Sequence, residues 1–191
     1  MTKRKNLRVV LSTRQQMVAS TSPIPLALGK GRAETMQKLD TYIDEHGGTP
    51  KAHEQTTGKT RDGGGVTTGD VPQGYSLTKE INTSSHTGLS YPWGQCTWFV
   101  YNRGKEVGVS FGKYMGNGGQ WMNAPGYQTT HTPTEHSALS FSPGQTGADP
   151  TYGHIAFMEQ VKSDGSILIS ESNIKGLGVV SYRTFDVETA K

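Results

Sequence analysis

Between residues 49 and 87 the chain is rich in Gly, Thr, Lys and Ser, carries a GGG run at 63–65, and has almost no large apolar side chain. A stretch of this kind cannot bury enough apolar surface to offset the entropy of ordering it, so residues 49–84 are expected to form a flexible linker. From about residue 88 onward nearly all the aromatic residues occur, including Trp93, Trp98 and Trp121. That division confines the expected core to residues 85–191, roughly the size of one small domain. Residues 1–48 are left as a basic extension, expected to be largely irregular apart from one short helix. Over residues 31–46, Met36, Leu39 and the Tyr42–Ile43 pair fall at helical spacing, and Gly47–Gly48 supplies a stop.

Charge follows the same division. Residues 1–61 hold eleven Lys/Arg against five Asp/Glu, whereas residues 62–191 hold eight against eleven. The basic residues form no stripe with interleaved aromatics, which disfavours nucleic acid as a partner. A basic arm suits other polyanions equally well, teichoic acids of a cell wall among them. The single cysteine excludes an internal disulfide and a thiolate-rich zinc site. The run Leu7–Leu11 is broken by Arg8 and followed by polar residues, so no secretory signal is expected, and no stretch has the length of a membrane span.

Within the core region, residues 95–105 read as a helix that buries Phe99 and Val100. HIAFMEQV (154–161) and SILISES (166–172) read as strands joined by a two-residue Asp164–Gly165 turn. GVVSYRTF (178–185) reads as a third strand. A helix followed by antiparallel strands makes an α+β domain.

Cys96, in YPWGQCTWFVYNR, falls at the expected first turn of that helix. Unpaired N–H groups and the helix dipole favour a thiolate there. A lone cysteine is also a common small buried hydrophobe, and position alone leaves both readings open. The expected hairpin supplies a second constraint. With Ser163 opposite Ser166, Met158 faces Glu171, Ala156 faces Asn173 and His154 faces Lys175. His154, Glu171 and Asn173 then share one face, an arrangement that a one-residue slip would destroy. An imidazole beside a carboxylate, facing a helix that starts with a thiol, is what nucleophilic catalysis requires. Trp98 and Trp121 are candidates for the walls of a substrate groove, with Tyr152 and Gly153 keeping it open beside His154. His131, Glu135 and His136 lack a third spaced ligand, so a surface loop is expected there and no metal site.

YPWGQCTWFVYNR, YGHIAFMEQV and ISESN, in that order, resemble the cysteine- and histidine-dependent amidohydrolase/peptidase (CHAP) domain of peptidoglycan hydrolases, over about residues 85–187. The resemblance implies a papain-like, NlpC/P60-like fold, with the cysteine-bearing helix packed on an antiparallel sheet. It also implies Cys96 as nucleophile, His154 as base and acid, Glu171 as orienting group and Asn173 as a further polar residue. Gln95 is implied as an oxyanion donor together with the Cys96 N–H. Some members bind calcium through an acidic loop before the nucleophile. NTSSHTGLSYPWGQC has no Asp or Glu, so no cofactor is expected.

The motif wording is most similar to lysins of phages of Gram-positive bacteria. The implied function is cleavage of a peptidoglycan amide in the cell wall by an endolysin or a virion-associated lysin, made in the host cytoplasm without a signal peptide. Residues 1–48 are then candidates for docking on phage tail proteins. The alternatives are a catalytically weak wall-binding or tail component and a bacterial wall-remodelling amidase or endopeptidase.

Overall fold

A computed structural model describes residues 7–11 and 65–190. Its centre is a helix, α1 (Cys96–Glu106), laid on a seven-stranded sheet. The strands are β1 (Arg8–Val10), β2 (Val66–Thr67), β3 (Thr129–Thr130), β4 (Ala138–Phe141), β5 (His154–Val161), β6 (Ile167–Ser172) and β7 (Val179–Phe185). Their order is β2-β7-β6-β5-β4-β1-β3, antiparallel except where the short β2 runs parallel to β7. A last turn of helix, α2 (Val187–Ala190), closes the described chain. The α+β class, the cysteine-bearing helix and the three expected strands are all present, with ends within one or two residues of expectation.

Alternation in the strands makes two cores. Ile155, Phe157 and Val180 face α1 and pack with Trp98, Phe99, Val100 and Trp121. Ala156, Met158, Ile167 and Ile169 face the other way and pack with Leu139 and Phe141. Helix α1 is buried on nearly every side, from Thr97 to Gly104, because the sheet covers one flank and loops cover the rest. Asn102 ties one of those loops down, exchanging hydrogen bonds with both the N–H and the carbonyl of Thr87.

The packed unit does not begin at residue 85. Leu7, Val9 and Leu11 are buried in the second core, Val10 turns into the first, and β1 is hydrogen-bonded between β4 and β3. Residues 65–84 run along the other side, where Val66 pairs with Val179 and the Thr83 hydroxyl donates to the Gly65 carbonyl. Part of the expected linker is therefore clamped to the domain, and five residues of the expected extension complete its sheet. Composition misjudged both, because each segment borrows its apolar surroundings from strands far away in sequence. The helix expected over residues 31–46 lies outside the described residues.

Candidate active site

The β5–β6 hairpin differs from its expected geometry twice, and the differences cancel. The turn is one residue longer than expected. Lys162 N–H donates to the Ser166 carbonyl, Gly165 takes a φ of +85°, and Asp164 accepts from the Ser166 N–H. A register shift between Met158 and Gln160 then moves the pairing by one more, so Met158 lies opposite Ile169 rather than Glu171. Two single steps restore the parity of the faces, and His154 and Glu171 remain on the same side of the sheet. His154 Nε2 and Glu171 Oε2 are 2.9 Å apart.

That bond leaves Nδ1 of His154 for a partner on the other side of the ring. The Cys96 sulfur, half-buried at the start of α1, is hydrogen-bonded to His154 and to the backbone N–H groups of Ile155 and Thr97. Burial alone would push the thiol up, but the charge and hydrogen bond of His154 outweigh it, and Cys96 lies below the ordinary thiol range. For His154 the burial penalty is overcome first by Cys96 and then by Glu171, which raise the imidazole to about 9. Both shifts run in the direction that favours the charged form of each group, and each group is a cause of the other's.

Glycines fix the seat of the imidazole. A Cβ on Gly118 would come within 2.5 Å of the His154 carbonyl carbon, and one on Gly153 within 2.4 Å of the Phe141 carbonyl oxygen. Ser140 holds the Gly118 carbonyl with a 2.7 Å hydrogen bond. On the cysteine side, Ser172 Oγ donates to the Gly94 carbonyl at 2.8 Å, anchoring the turn before α1 to β6.

Asn173 does not reach the imidazole. It sits in the left-handed region at φ 71°, just past β6, and its Nδ2 donates to Gln95 Oε1 at 2.9 Å. Gln95 precedes the helix without capping it, so its side chain is held across the cleft by Asn173. With Oε1 occupied, the Nε2 amino group is the end available to a ligand beside Cys96.

An open cleft of about 270 Å³ lies over these groups. Gln95, Cys96, His154 and Asn173 line it, as do Tyr152 and Gly153. Trp98 and Trp121 do not. Both are fully buried, Trp98 against His86 and Trp93, and Trp121 against Tyr91 and Phe111. The expected aromatic groove walls are therefore core. Trp98 is no wall residue because loops cover the outer side of α1, and Trp121 is none because the turn at Gly118–Asn123 packs it inward. Ile174, Asn117 and Asp149 line the cleft instead. No short motif marked these three.

Arg183 was also missed. It donates from Nε to Glu171 Oε1 and from Nη2 to Glu171 Oε2, both at 2.6 Å. Its signal lay in the β6–β7 pairing, which sets Arg183 opposite Ile169 and hence one diagonal step from Glu171. Burial would raise the Glu171 carboxyl, but His154 and Arg183 hold it below the usual range and charged.

The histidines of HTPTEH act as tethers. His131 Nδ1 bonds the Leu7 carbonyl at 3.0 Å, and His136 Nε2 bonds Thr78 Oγ1 at 2.8 Å. Glu135 accepts from the Val161 N–H. Among the described residues no three His, Cys, Asp or Glu side chains cluster as metal ligands would, and no described helix is long and apolar enough to cross a membrane.

The chain is similar to known proteins. One staphylococcal relative is the N-acetylmuramoyl-L-alanine amidase domain-containing protein of Staphylococcus aureus, 52% identical over 106 residues, which span 54% of this chain and 17% of the relative. The amidase sle1 of Staphylococcus epidermidis is 43% identical over 106 residues, 53% of this chain and 31% of the relative. The chain thus spans less than a third of the length of these curated relatives. A crystal structure of an N-acetylmuramoyl-L-alanine amidase from S. aureus superposes with a TM-score of 0.56 at 46% identity, covering 64% of this chain and 35% of that one. Residues 86–173 match the CHAP domain profile, and the protein therefore carries a CHAP domain.

Proposed function

We propose that this domain is a cysteine-dependent peptidoglycan hydrolase that cleaves an amide bond, and that the bond is the one between N-acetylmuramic acid and L-alanine. The observation that carries the reading is the His154 imidazole, bonded to Glu171 on one nitrogen and to the Cys96 sulfur on the other side, at the floor of an open cleft. The amidase names of the relatives support the choice of bond.

Cys96 thiolate attacks the lactyl carbonyl carbon, and the carbonyl electrons move onto oxygen. Gln95 Nε2 and the Cys96 backbone N–H donate to that oxyanion. As the tetrahedral species collapses, the C–N bond breaks and imidazolium His154 gives its proton to the departing alanine nitrogen. The neutral imidazole then takes a proton from water, whose oxygen attacks the thioester and releases muramic carboxylate and Cys96 thiolate. Glu171 keeps the ring oriented and stabilises its charged form. Asn173 contributes by holding Gln95, so its role is at the oxyanion rather than at the base.

The finer form of the reading is a phage lysin active on Gram-positive walls, supported by the wording of the motifs. Docking on a tail protein through residues 1–48 would have to use residues other than 7–11, which are built into the sheet. Purified chain and Cys96→Ala are compared on staphylococcal walls by turbidity and by mass spectrometry of the products. Wild type should clear the walls and release stems with a free L-alanine amine, and Cys96→Ala should do neither. Release of stems cut elsewhere would make the enzyme an endopeptidase, and equal inertness of both proteins would leave a wall-binding component. Lysis of intact cells by added protein is the result expected of a phage lysin.

A further inference from the structure

Glu171 is fully buried, and both of its oxygens are taken by Arg183. Oε2 is shared between Arg183 Nη2 and His154 Nε2. The remaining terminal nitrogen of the guanidinium, Nη1, donates to the Thr146 carbonyl at 2.9 Å. Thr146 is a β-branched residue in the left-handed region, at φ 48° and ψ 36°, a conformation that persists only where surrounding contacts hold it. The next residue, Gly147, lines the cleft. The guanidinium carbon lies 5.2 Å from the Phe141 ring centroid and 5.4 Å from that of Phe185, and the Phe141 ring lies 5.7 Å from His154. One side chain thus touches the carboxylate that orients the base, the ring packed on the base, and the neighbour of Gly147 in the cleft wall.

We propose that Arg183 is a positioning residue for the Cys96–His154 pair, acting through both oxygens of Glu171 while it anchors Thr146, the neighbour of Gly147 in the cleft wall. The proposal rests on the hydrolase reading of the site. A carboxylate held by a two-pronged donor can present Oε2 to His154 in only one orientation. The cation also offsets part of the negative charge that Glu171 would otherwise direct at the imidazole. The charged groups facing the pair are Glu171 from β6, Arg183 from β7 and Asp149 from the cleft loop. Removing the only cation among them makes the local potential more negative, so both the thiol and the imidazole should titrate at higher pH.

The test compares wild type, Arg183→Met and Arg183→Lys in the full chain. Cys96 alkylation by iodoacetamide is followed against pH, alongside wall hydrolysis at fixed pH. In Arg183→Met both inflections of the alkylation profile should rise by about one pH unit. Its kcat should fall about a hundredfold, the loss that accompanies a misplacement of about 1 Å. Arg183→Lys keeps the charge but not the fork, so its inflections should match wild type while kcat falls and KM rises. A Met variant with unmoved inflections would overturn the proposal, as would a Lys variant equal to wild type in kcat and KM. Should Arg183→Met not fold, the Lys variant decides on kcat and KM alone. Alkylation needs no substrate. Shifted inflections in a protein inert on walls would therefore sink the hydrolase reading and leave the positioning role standing.

Discussion

The sheet holds two arginine–carboxylate forks, and only one of them opens to a cleft. At the far end of α1, Arg103 donates from Nε and Nη2 to the two oxygens of Glu159, both at 2.9 Å, and from Nη1 to Glu106. His86 lies 3.1 Å from Glu106, and Ser170 donates to Glu159. Arg103, Glu159 and His86 are each at most 1% exposed. At the other end, Arg183 forks Glu171, His154 joins it, and the side chain of Arg183 is 25% exposed. The ingredients match: arginine, glutamate and histidine. What differs is a thiol within reach and solvent access. A buried charge cluster sealed from solvent serves cohesion, and the same kind of cluster beside a half-buried sulfur under a cleft can serve chemistry.

Mutations should separate the two ends cleanly. The largest effect is expected for His154→Ala, which removes the proton carrier. Wall hydrolysis should drop by about three orders of magnitude or more, with the urea midpoint little changed. At the sealed end, Glu159→Gln takes away the forked partner of Arg103 and leaves it Glu106 as a carboxylate partner. A loss of about 1–3 kcal/mol in unfolding free energy is expected, with activity per folded molecule retained. Loss of activity in the folded fraction would show that the two ends are not separate. Gln95→Ala should lower kcat by about 10²–10³ while leaving the alkylation profile of Cys96 unmoved, since it removes an oxyanion donor and no charge.

The pH profile sharpens the contrast further. The proposed mechanism requires thiolate and imidazolium together. It should therefore rise as pH passes the lowered Cys96 value and fall as pH passes about 9, where His154 loses its proton. The smallest effect is expected for Leu177→Ser. This residue is 47% exposed, and its replacement should change stability by about 0.5 kcal/mol or less.

Much of the site was legible because its parts sit at element ends with strong local signals: a Gly-Gln turn before a helix, and a Ser-Asp-Gly-Ser turn between strands. The parity of the hairpin faces was read correctly although neither the turn length nor the bulge was. An extra turn residue and a bulge each shift the pairing by one, and only their sum decides whether His154 and Glu171 meet. Trp98 and Trp121 are core rather than groove walls because an aromatic type that suits a substrate says nothing of what covers the side chain in the fold. Arg183 was invisible for a related reason. Its partner lies on the neighbouring strand, and that pairing was not drawn. Strand β4, which seats Phe141 behind His154, went unremarked because Ala138–Phe141 is only four residues long and buried throughout.

The strand at residues 7–11 has a consequence for how the protein is made. These residues leave the ribosome long before the strands that flank them, whose residues lie between 129 and 141. Their pairing must wait until residues 129–141 have been synthesised. Closing so long a loop is thermodynamically cheap, about 0.6 kcal/mol for each doubling of length, but it is slow. Leu7, Val9 and Leu11 are thus translated well ahead of the strands they pack with, and find their places only once those strands exist. Until they arrive, the β4 edge and the apolar face beneath it stay uncovered, which is the interval in which a nascent chain of this kind is most open to wrong partners.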